Sequence, residues 1–212
     1  MSKVTQGRLA GAHVISEANG TLSRELVVIT GAALVAGQVL GKITHAGATA
    51  AAYAGNTGTG TVGAITVGAG VKAGAYRLTI IEPAADSGRF SLEDPEGVEV
   101  GVGTVGVAFS GGGLSFTLSD ATDFVAGDGF TITVAEGNLK YVAHDPALTN
   151  GAEVAAAVLY DSVDASLADK KAVVHVRLAE VSGSELVFKT GISTPDKAAA
   201  LIALSRANLI AR

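Results

Sequence analysis

The feature that most limits the fold of this chain is a regular alternation of apolar and polar side chains between residues 61 and 135. The alternating apolar positions are Tyr76, Leu78, Ile80, Phe116, Leu118, Phe130, Ile132 and Val134. Successive side chains of a strand point to opposite faces, so this period of two predicts strands with one buried and one solvated face. Turns rich in Gly, Asp and Pro separate these strands, which favours a small sandwich or barrel.

The rest of the chain also favours strands, with one exception near the C-terminus. Thr194 is a suitable helix cap, Pro195 suits the first helical position, and an Ala- and Leu-rich run continues to Ala207. Elsewhere Val, Ile and Thr, which pleated sheets favour, are abundant. The predicted fold class is therefore mainly β, with a C-terminal helix.

Changes in composition divide the chain into an N-terminal arm and two domains. Residues 1–20 are weakly periodic and end in the turn dipeptide Asn19-Gly20, which predicts an arm rather than a folded element. Residues 45–60 are almost all small, which is typical of a linker, and the first β-rich pattern returns only after Gly137. We expect one β-rich domain at residues 21–54 plus 138–212, interrupted by an inserted all-β domain, sandwich- or barrel-like, at residues 55–137.

The charge balance argues against two classes of partner. The net charge is −5, whereas a nucleic-acid binder needs a clustered basic face and anionic membranes repel a negative protein. The N-terminus lacks the apolar core of a signal peptide, and no stretch approaches the roughly 20 apolar residues that cross a bilayer. The expectation is a soluble protein made in a cytoplasm, with no nucleic acid and no membrane as partner.

No spacing of reactive residues predicts catalysis. Residues 101–106 spell a dinucleotide-binding pattern, but they lead into Val107 and a triple glycine instead of a helix that would bind phosphate. No Gly-x-Ser-x-Gly sequence is present to position a nucleophile. The bulky apolar side chains that line substrate pockets are also few. We therefore expect a structural or binding protein and not an enzyme.

The sequence gives equally little support for a metal or cofactor site. The histidines lie in four separate segments, at His13, His45, His144 and His175, and Cys is absent. His175 is expected to be a half-buried strand residue and His144 to lie in a turn. The acidic loop with Asp120, Asp123 and Asp128 lacks the EF-hand pattern, which favours turn formation over calcium binding. The expectation is that the protein has no cofactor.

Two separated parts of the chain carry strand and turn motifs in a specific order. The first part reads Thr21-Leu-Ser-Arg-Glu25, Val27-Val-Ile29 and Leu34-x-Ala-Gly37-x-Val-Leu-Gly-Lys-Ile-Thr44. The second reads Gly151-Ala, Val158-Leu-Tyr-Asp-Ser-Val-Asp-Ala-Ser166, Val174-x-x-Arg177-x-x-Glu180-Val181, Leu186 and Leu209-Ile-Ala-Arg212. In this order the motifs resemble the lambda-type phage head decoration proteins, across residues 20–54 and 138–212. Residues 55–135 depart from the short family members and look like an added domain.

This resemblance implies a virion structural protein that cements the outer surface of the expanded phage head. Proteins of this family bind the major capsid protein, which has the HK97-like fold, and they often form trimers; a dimer is the alternative for this chain. The implied location is the outer capsid surface, after synthesis in the bacterial host cytoplasm. The inserted domain is expected to project away from the capsid.

Under this interpretation the predicted arm is the capsid-binding site. Twenty extended residues span up to ~65–70 Å, and an extended segment can add a strand to the sheet edge of a partner. The candidate contact residues are Lys3, Val4, Thr5, Arg8 and Leu9, which combine positive charge with apolar side chains. A frayed tail is the alternative for this segment.

A receptor- or glycan-binding module of a phage surface or tail is the alternative function. Sugars stack on aromatic rings, so such a module is expected to carry rings at its loop tips. Tyr53, Tyr76, Tyr141, Tyr160 and the six Phe mostly lie in strand-like runs, which disfavours this alternative.

Overall fold

The computed structural model describes residues 7–85 and 87–212, so Lys3, Val4 and Thr5 of the predicted arm lie outside the described residues. The chain forms two compact units. The first unit contains the chain up to Ile43 together with Leu139–Arg212, and the second is Thr44–Asn138. Each unit has buried apolar clusters of its own.

The elements follow one another along the chain as three groups. The first group is β1 (Val14–Glu17), α1 (Gly20–Ser23), β2 (Arg24–Ile29), β3 (Ala33–Leu34) and β4 (Val39–Lys42). The second unit contains β5 (His45–Ala52), β6 (Thr61–Val62), β7 (Thr66–Val67), β8 (Gly74–Ala84), β9 (Ser87–Glu93), β10 (Glu99–Thr104), β11 (Ala108–Gly111), β12 (Leu114–Ser119) and β13 (Gly129–Glu136). The last group, in the first unit again, is β14 (Tyr141–Ala143), β15 (Ala155–Leu159), β16 (Val163–Asp164), β17 (Lys170–His175), β18 (Ala179–Val181), α2 (Thr194–Arg206) and β19 (Leu209–Ala211). This confirms the prediction of a mainly β chain with a C-terminal helix.

The first unit is built around a closed barrel with the strand order β14-β2-β17-β15-β4. Leu40 and Leu159 are fully buried in the barrel cluster. Val39 and Val158 are equally buried, but they belong to a second apolar cluster that includes residues of α2. Strands β4 and β15 are thus covered on both faces, which explains why the apolar run Ala155–Leu159 does not alternate.

A three-stranded sheet and the C-terminal helix complete the first unit. In this sheet β18 pairs antiparallel with β1 and parallel with β19. The N-cap of α2 is Ser193, whose hydroxyl accepts a hydrogen bond from the Asp196 backbone N–H at 3.2 Å. Helix capping by Thr194 was therefore wrong by one residue. The helix buries Ala200 and Leu204 against the second cluster.

The second unit consists of two sheets that share one apolar cluster. One sheet has the order β10-β9-β8-β13-β5, and the other has β11-β12-β6, with β7 also paired to β12. Every apolar position of the predicted alternation is buried in the shared cluster: Tyr76, Leu78, Ile80, Phe116, Leu118, Phe130, Ile132 and Val134. The period of two therefore predicted the buried face of β8, β12 and β13 correctly.

The linker predicted at residues 45–60 was wrong for its first half. His45–Ala52 forms β5 at the edge of the larger sheet, with Ala48 opposite Val134 and Ala52 opposite Phe130. Strand pairing uses backbone N–H and C=O groups, so a row of small side chains can still complete a sheet beside a strongly apolar strand. The division between the units consequently lies at Ile43 and Thr44 rather than at residue 54.

The N-terminal segment also differs from its prediction. Residues 1–20 were expected to form an arm without folded structure, yet Val14–Glu17 pairs with β18 and Gly20–Ser23 is helical. Pairing to a sheet offsets the weak local preferences of these residues. Among the described residues, no helix has the length and apolar character needed to cross a membrane.

Candidate functional site

The predicted binding segment joins the first unit at Arg8 and Leu9. Arg8 Nη1 donates to the Glu185 backbone carbonyl at 2.6 Å and lies 3.2 Å from its carboxylate. The side chain of Leu9 is 61% exposed. Of the two predicted contact residues that the structure describes, Arg8 is thus engaged within its own unit, and Leu9 exposes most of its side chain.

Gly11 marks the point where the segment becomes part of the folded unit. Its backbone has φ +70° and its N–H donates to the Tyr160 carbonyl at 2.9 Å. A Cβ at Gly11 would lie 2.9 Å from the Tyr160 ring, so this close approach requires glycine. Two residues later, the His13 carbonyl accepts from the Ser182 N–H at 2.7 Å, and β1 then continues along β18.

Beside β1 lies a group of ionisable side chains, the histidine cluster, made of His13, Glu17, Arg24, Tyr160 and His175, of which the two histidines are buried and the others half-buried. His13 is 1% exposed and His175 is fully buried. His13 Nε2 lies 3.3 Å from His175 Nδ1, and His175 Nε2 lies 2.9 Å from Glu17 Oε2. The cluster therefore connects β1 to the barrel strand β17 through a continuous line of hydrogen bonds.

Arg24, at the start of β2, provides the positive charge of the histidine cluster. Its Nε donates to Glu17 Oε2 at 2.9 Å, and its Nη2 also contacts the Glu17 carboxylate. The same guanidinium lies over the Tyr160 ring, 4.1 Å from its centroid. The hydrogen bonds from Arg24 lower the pKa of Glu17 to about 2. Burial lowers the pKa of His13 to about 4 and also lowers the pKa of His175, so both imidazoles are neutral at pH 7.

Sequence reasoning did not find this cluster, because its members are far apart in the chain. His13 and His175 were placed in separate segments, and they are separated by 162 positions. The expectation of a half-buried His175 was wrong, because the side chains of His13, Glu17 and Tyr160 lie against its ring and leave it fully buried. His144, expected in a turn, directly follows β14. It is 2% exposed and donates a hydrogen bond from Nε2 to the Glu153 carbonyl.

Within residues 7–85 and 87–212, no group of three or more His, Asp or Glu side chains is arranged to hold a metal ion.

The glycine pattern at residues 101–106 serves the packing of the second unit. A Cβ at Gly103 would lie 2.2 Å from the Phe90 ring, and one at Gly101 would lie 3.1 Å from the Phe109 ring. The pattern lies in β10 and the turn after it, and the chain continues into β11. These glycines therefore provide space for aromatic rings, with no helix N-terminus beside them.

The acidic loop of the second unit is organised by Asp128. This residue is 4% exposed, and its carboxylate accepts from the backbone N–H groups of Thr57, Gly58 and Val125 at 2.8–3.1 Å. Burial alone would raise the pKa of Asp128, but these three donors lower it overall. Its carboxylate oxygens thus hold two loops together, as the turn-forming interpretation expects.

Comparison with solved structures gives partial alignments to flagellar proteins. They include FlgL from Xanthomonas campestris, with 22% identity over 49% of this chain and 34% of that chain at a TM-score of 0.34. FlgL from Legionella pneumophila has 19% identity over 48% of this chain and 38% of that chain, at a TM-score of 0.36. The flagellar hook junction protein FlgK from Burkholderia pseudomallei has 26% identity over 57% of this chain and 21% of that chain, at a TM-score of 0.34. Each alignment covers less than two fifths of the flagellar protein, and TM-scores of this size do not establish a shared fold.

Comparison with protein families gives a match over nearly the whole chain. No curated protein matches the sequence. In contrast, the family of the bacteriophage lambda head decoration protein D matches residues 3–209, which include both parts of the first unit and the whole of the second. The chain therefore belongs to the phage lambda head decoration protein D family, whose members are structural proteins of the capsid surface.

Proposed function

We propose that this protein binds the major capsid protein on the outer face of the expanded phage head and stabilises the shell as a non-enzymatic cement. The observation that carries the proposal is the family match over residues 3–209. The described N-terminal residues support it, because Leu9 exposes its side chain directly before the point where the chain is fixed at Gly11.

The segment before Gly11 is the proposed contact with the capsid protein. Residues 1–10 precede this point, and ten extended residues span at most about 35 Å. An extended segment can add a strand to a sheet edge, with Lys3, Val4, Thr5 and Leu9 as candidate contacts.

Stabilisation follows from selective binding. A protein that binds the expanded shell and not its dissociated subunits shifts the equilibrium toward the shell by mass action. Many copies on one shell add many modest contributions. We further propose that the protein is made in the bacterial host cytoplasm and assembles as a homotrimer, with the second unit dispensable for attachment.

The receptor- or glycan-binding alternative gains no support from the aromatic side chains. Tyr76, Tyr141 and the five Phe residues of the second unit are buried. Tyr53, Tyr160 and Phe188 are half-buried. In the part of the chain that the structure describes, no aromatic ring is presented as an exposed stacking platform.

Co-sedimentation with expanded heads tests the proposal with two deletions. Removing residues 2–8 leaves Gly11, His13 and β1 in place, so the fold and the oligomeric state should be retained while binding is lost. Replacing Thr44–Asn138 by a short linker is the matched control, because the Leu139 N–H donates to the Ile43 carbonyl at 3.0 Å and the two ends are adjacent. This variant should still bind. Unchanged binding after deletion of residues 2–8 would contradict the proposed contact.

A further inference from the structure

The buried imidazoles of His13 and His175 form a pair that the proposed function does not use. The titratable or charged groups that face this pair are Glu17 on β1, Arg24 on β2, Arg8 before β1 and Tyr160 after β15. Glu17 carries the negative charge among them, and its carboxylate already accepts from Arg24 and Ser23. Any further positive charge at the pair is therefore poorly compensated.

The hydrogen bonds fix which ring nitrogens carry protons at neutral pH. The ionised carboxylate of Glu17 only accepts, so His175 Nε2, at 2.9 Å, carries a proton. Neutral His175 then has a bare Nδ1, which accepts from His13 Nε2 at 3.3 Å. The last nitrogen, His13 Nδ1, is bare as well, and it has no hydrogen-bond partner among the described residues.

An additional proton has no suitable position in this arrangement. On His13 Nδ1 it would be a buried donor with no acceptor in residues 7–85 and 87–212. If His175 Nδ1 took the proton, its N–H would point at the N–H of His13 Nε2. His13 could avoid this by carrying its own proton on Nδ1 instead, but that proton would again have no acceptor among the described residues. Each protonated form of the pair therefore contains either two opposed N–H groups or one unpaired buried donor.

We propose that the His13–His175 pair is an acid-sensitive lock, and that protonation of the pair detaches β1 from β18 while the barrel stays folded. The backbone hydrogen bonds of Gly11 with Tyr160 and of His13 with Ser182 open together with the strand. Strand β1 is suited to such local opening, because it lies at the edge of its sheet and pairs with β18 alone. Opening brings both imidazoles into contact with water, where either ring can hold a second proton. The lock concerns the free protein and does not depend on capsid binding.

The pH range of the transition follows from the directions of the pKa changes. Burial lowers the pKa of His13 from 6.5 to about 4, and it lowers the pKa of His175 as well. Below pH 6.5 the open form binds more protons than the closed form, so opening increases as the pH falls from 6.5 toward 4. The pKa of Glu17 is about 2 in the closed form, and in the open form its carboxylate regains a proton only near its ordinary pKa of 4.5, so at pH 5 and above the histidines account for most of the change.

Hydrogen–deuterium exchange of the full chain at neutral pH and at about pH 5, corrected for intrinsic rates, tests the lock. We expect amide exchange in Val14–Glu17 to increase at least about tenfold relative to exchange in β4, since opening takes up a proton. Equal protection of β1 at both pH values would overturn the proposal. So would a loss of protection in β4 as large as that in β1, because the barrel would then open together with the strand.

Two substitutions separate the pair from other buried histidines. His13→Phe keeps an aromatic ring that cannot be protonated, and it should make the acid-induced increase smaller, because only His175 can then take up a proton on opening. His144→Gln removes another buried histidine of the same unit and should leave the tenfold increase unchanged. An acid-induced opening in His13→Phe equal to that of the unaltered protein would overturn the assignment.

Nitrogen NMR of the imidazoles tests the same inference without any substitution. Both rings should carry their proton on Nε2 at neutral pH, and protonation of the pair should occur over the same pH range as the opening of β1. Protonation of Nδ1 in either ring at neutral pH would contradict the hydrogen-bond assignment and the lock that rests on it.

Discussion

The two units of this chain bury their strands in different ways. In the second unit, β8, β12 and β13 turn alternate side chains toward one cluster, and the apolar residues are the buried ones. In the first unit, β4 and β15 are buried on both faces and ionisable groups lie beside β1. When only one face of a strand is buried, apolar and polar residues alternate along it, so the sequence reveals which side chains are buried. A strand that is buried on both faces has no such alternation.

The two units also differ in what fills their interiors. The second unit relies on large rings, with Phe90, Phe109 and Phe116 lying 5.2–5.9 Å apart between centroids. Close approaches of glycine to a neighbouring backbone occur in both units, at Gly41 beside Ala152 in the first and at Gly129 beside Leu78 in the second. We therefore expect loss of a large ring to be the most damaging change in the second unit, whereas added volume at such an approach should be damaging in either unit.

The largest effect is expected from Phe90→Ala. Phe90 is fully buried, so removing its ring leaves a cavity and should lower the free energy of unfolding of the second unit by about 3–5 kcal/mol. Val102→Ala, on the neighbouring strand β10, is the control, because Val102 is 38% exposed. Scanning calorimetry measures both. A loss below about 1 kcal/mol for Phe90→Ala would show that the rings do not carry the stability of this unit.

Gly41→Ala tests the effect of added volume in the first unit, whereas Phe90→Ala tests the effect of removed volume in the second. A Cβ at Gly41 would lie 2.2 Å from the Ala152 carbonyl oxygen, and a backbone atom cannot move aside easily. We expect a loss of about 3 kcal/mol in unfolding free energy by denaturant titration. Gly47→Ala in β5 is the matched control in the second unit, because a Cβ there meets nothing within 4 Å. That control should be neutral or slightly stabilising, and equal losses for both would show that the close approach of Ala152 is not the cause of the loss.

Glu17→Gln probes the charged part of the first unit. Glu17 accepts hydrogen bonds from Arg24, Ser23 and His175, so the variant should lose about 2 kcal/mol at neutral pH. Because the folded-state pKa of Glu17 is about 2 instead of 4.5, its contribution is complete above pH 4.5 and disappears as the pH falls toward 2. The difference between the variant and the unaltered protein should therefore shrink over that range in pH-dependent denaturation.

Glu180→Gln is the control for this measurement. Glu180 lies on the adjacent strand β18, and its carboxylate pairs with Arg212, whose side chain is 62% exposed. An exposed pair of this kind contributes at most about 1 kcal/mol. If both variants lost the same amount, the charged groups beside β1 would contribute no more than an ordinary surface pair.

The fold could be predicted from the sequence wherever local pattern decides the structure. The period of two gave the buried residues of the second unit, and Pro195 with the Ala- and Leu-rich run gave α2 to within one residue of its cap. The edge strand β5 was missed, because its residues are small and its pairing depends on the distant strand β13. Strand β1 was missed for the same reason, since its partner β18 lies more than 160 positions away.

The candidate site was less accessible to sequence reasoning than the fold. The motif order pointed to the family, whereas the capsid contact of the exposed Leu9 stays a prediction. The engagement of Arg8 with Glu185 and the meeting of His13 with His175 join parts of the chain that only the tertiary structure brings together. No spacing rule relates such residues, because their proximity is created by strand pairing and not by local geometry.

The smallest effect on stability is expected from Arg8→Ala, which allows an exposed ion pair of the first unit to be compared with one of the second. The Arg8–Glu185 pair is about two fifths exposed, so its loss should change the unfolding free energy by less than about 1 kcal/mol. Arg89→Ala, which removes the still more exposed pair with Glu82 in the second unit, should change the unfolding free energy less.

In head-binding assays Leu9→Ser should weaken binding more than Arg8→Ala, because the Arg8 guanidinium already donates a hydrogen bond to the Glu185 carbonyl. The reverse order would mean that Arg8 leaves Glu185 to contact the capsid, and that this part of the first unit rearranges on binding.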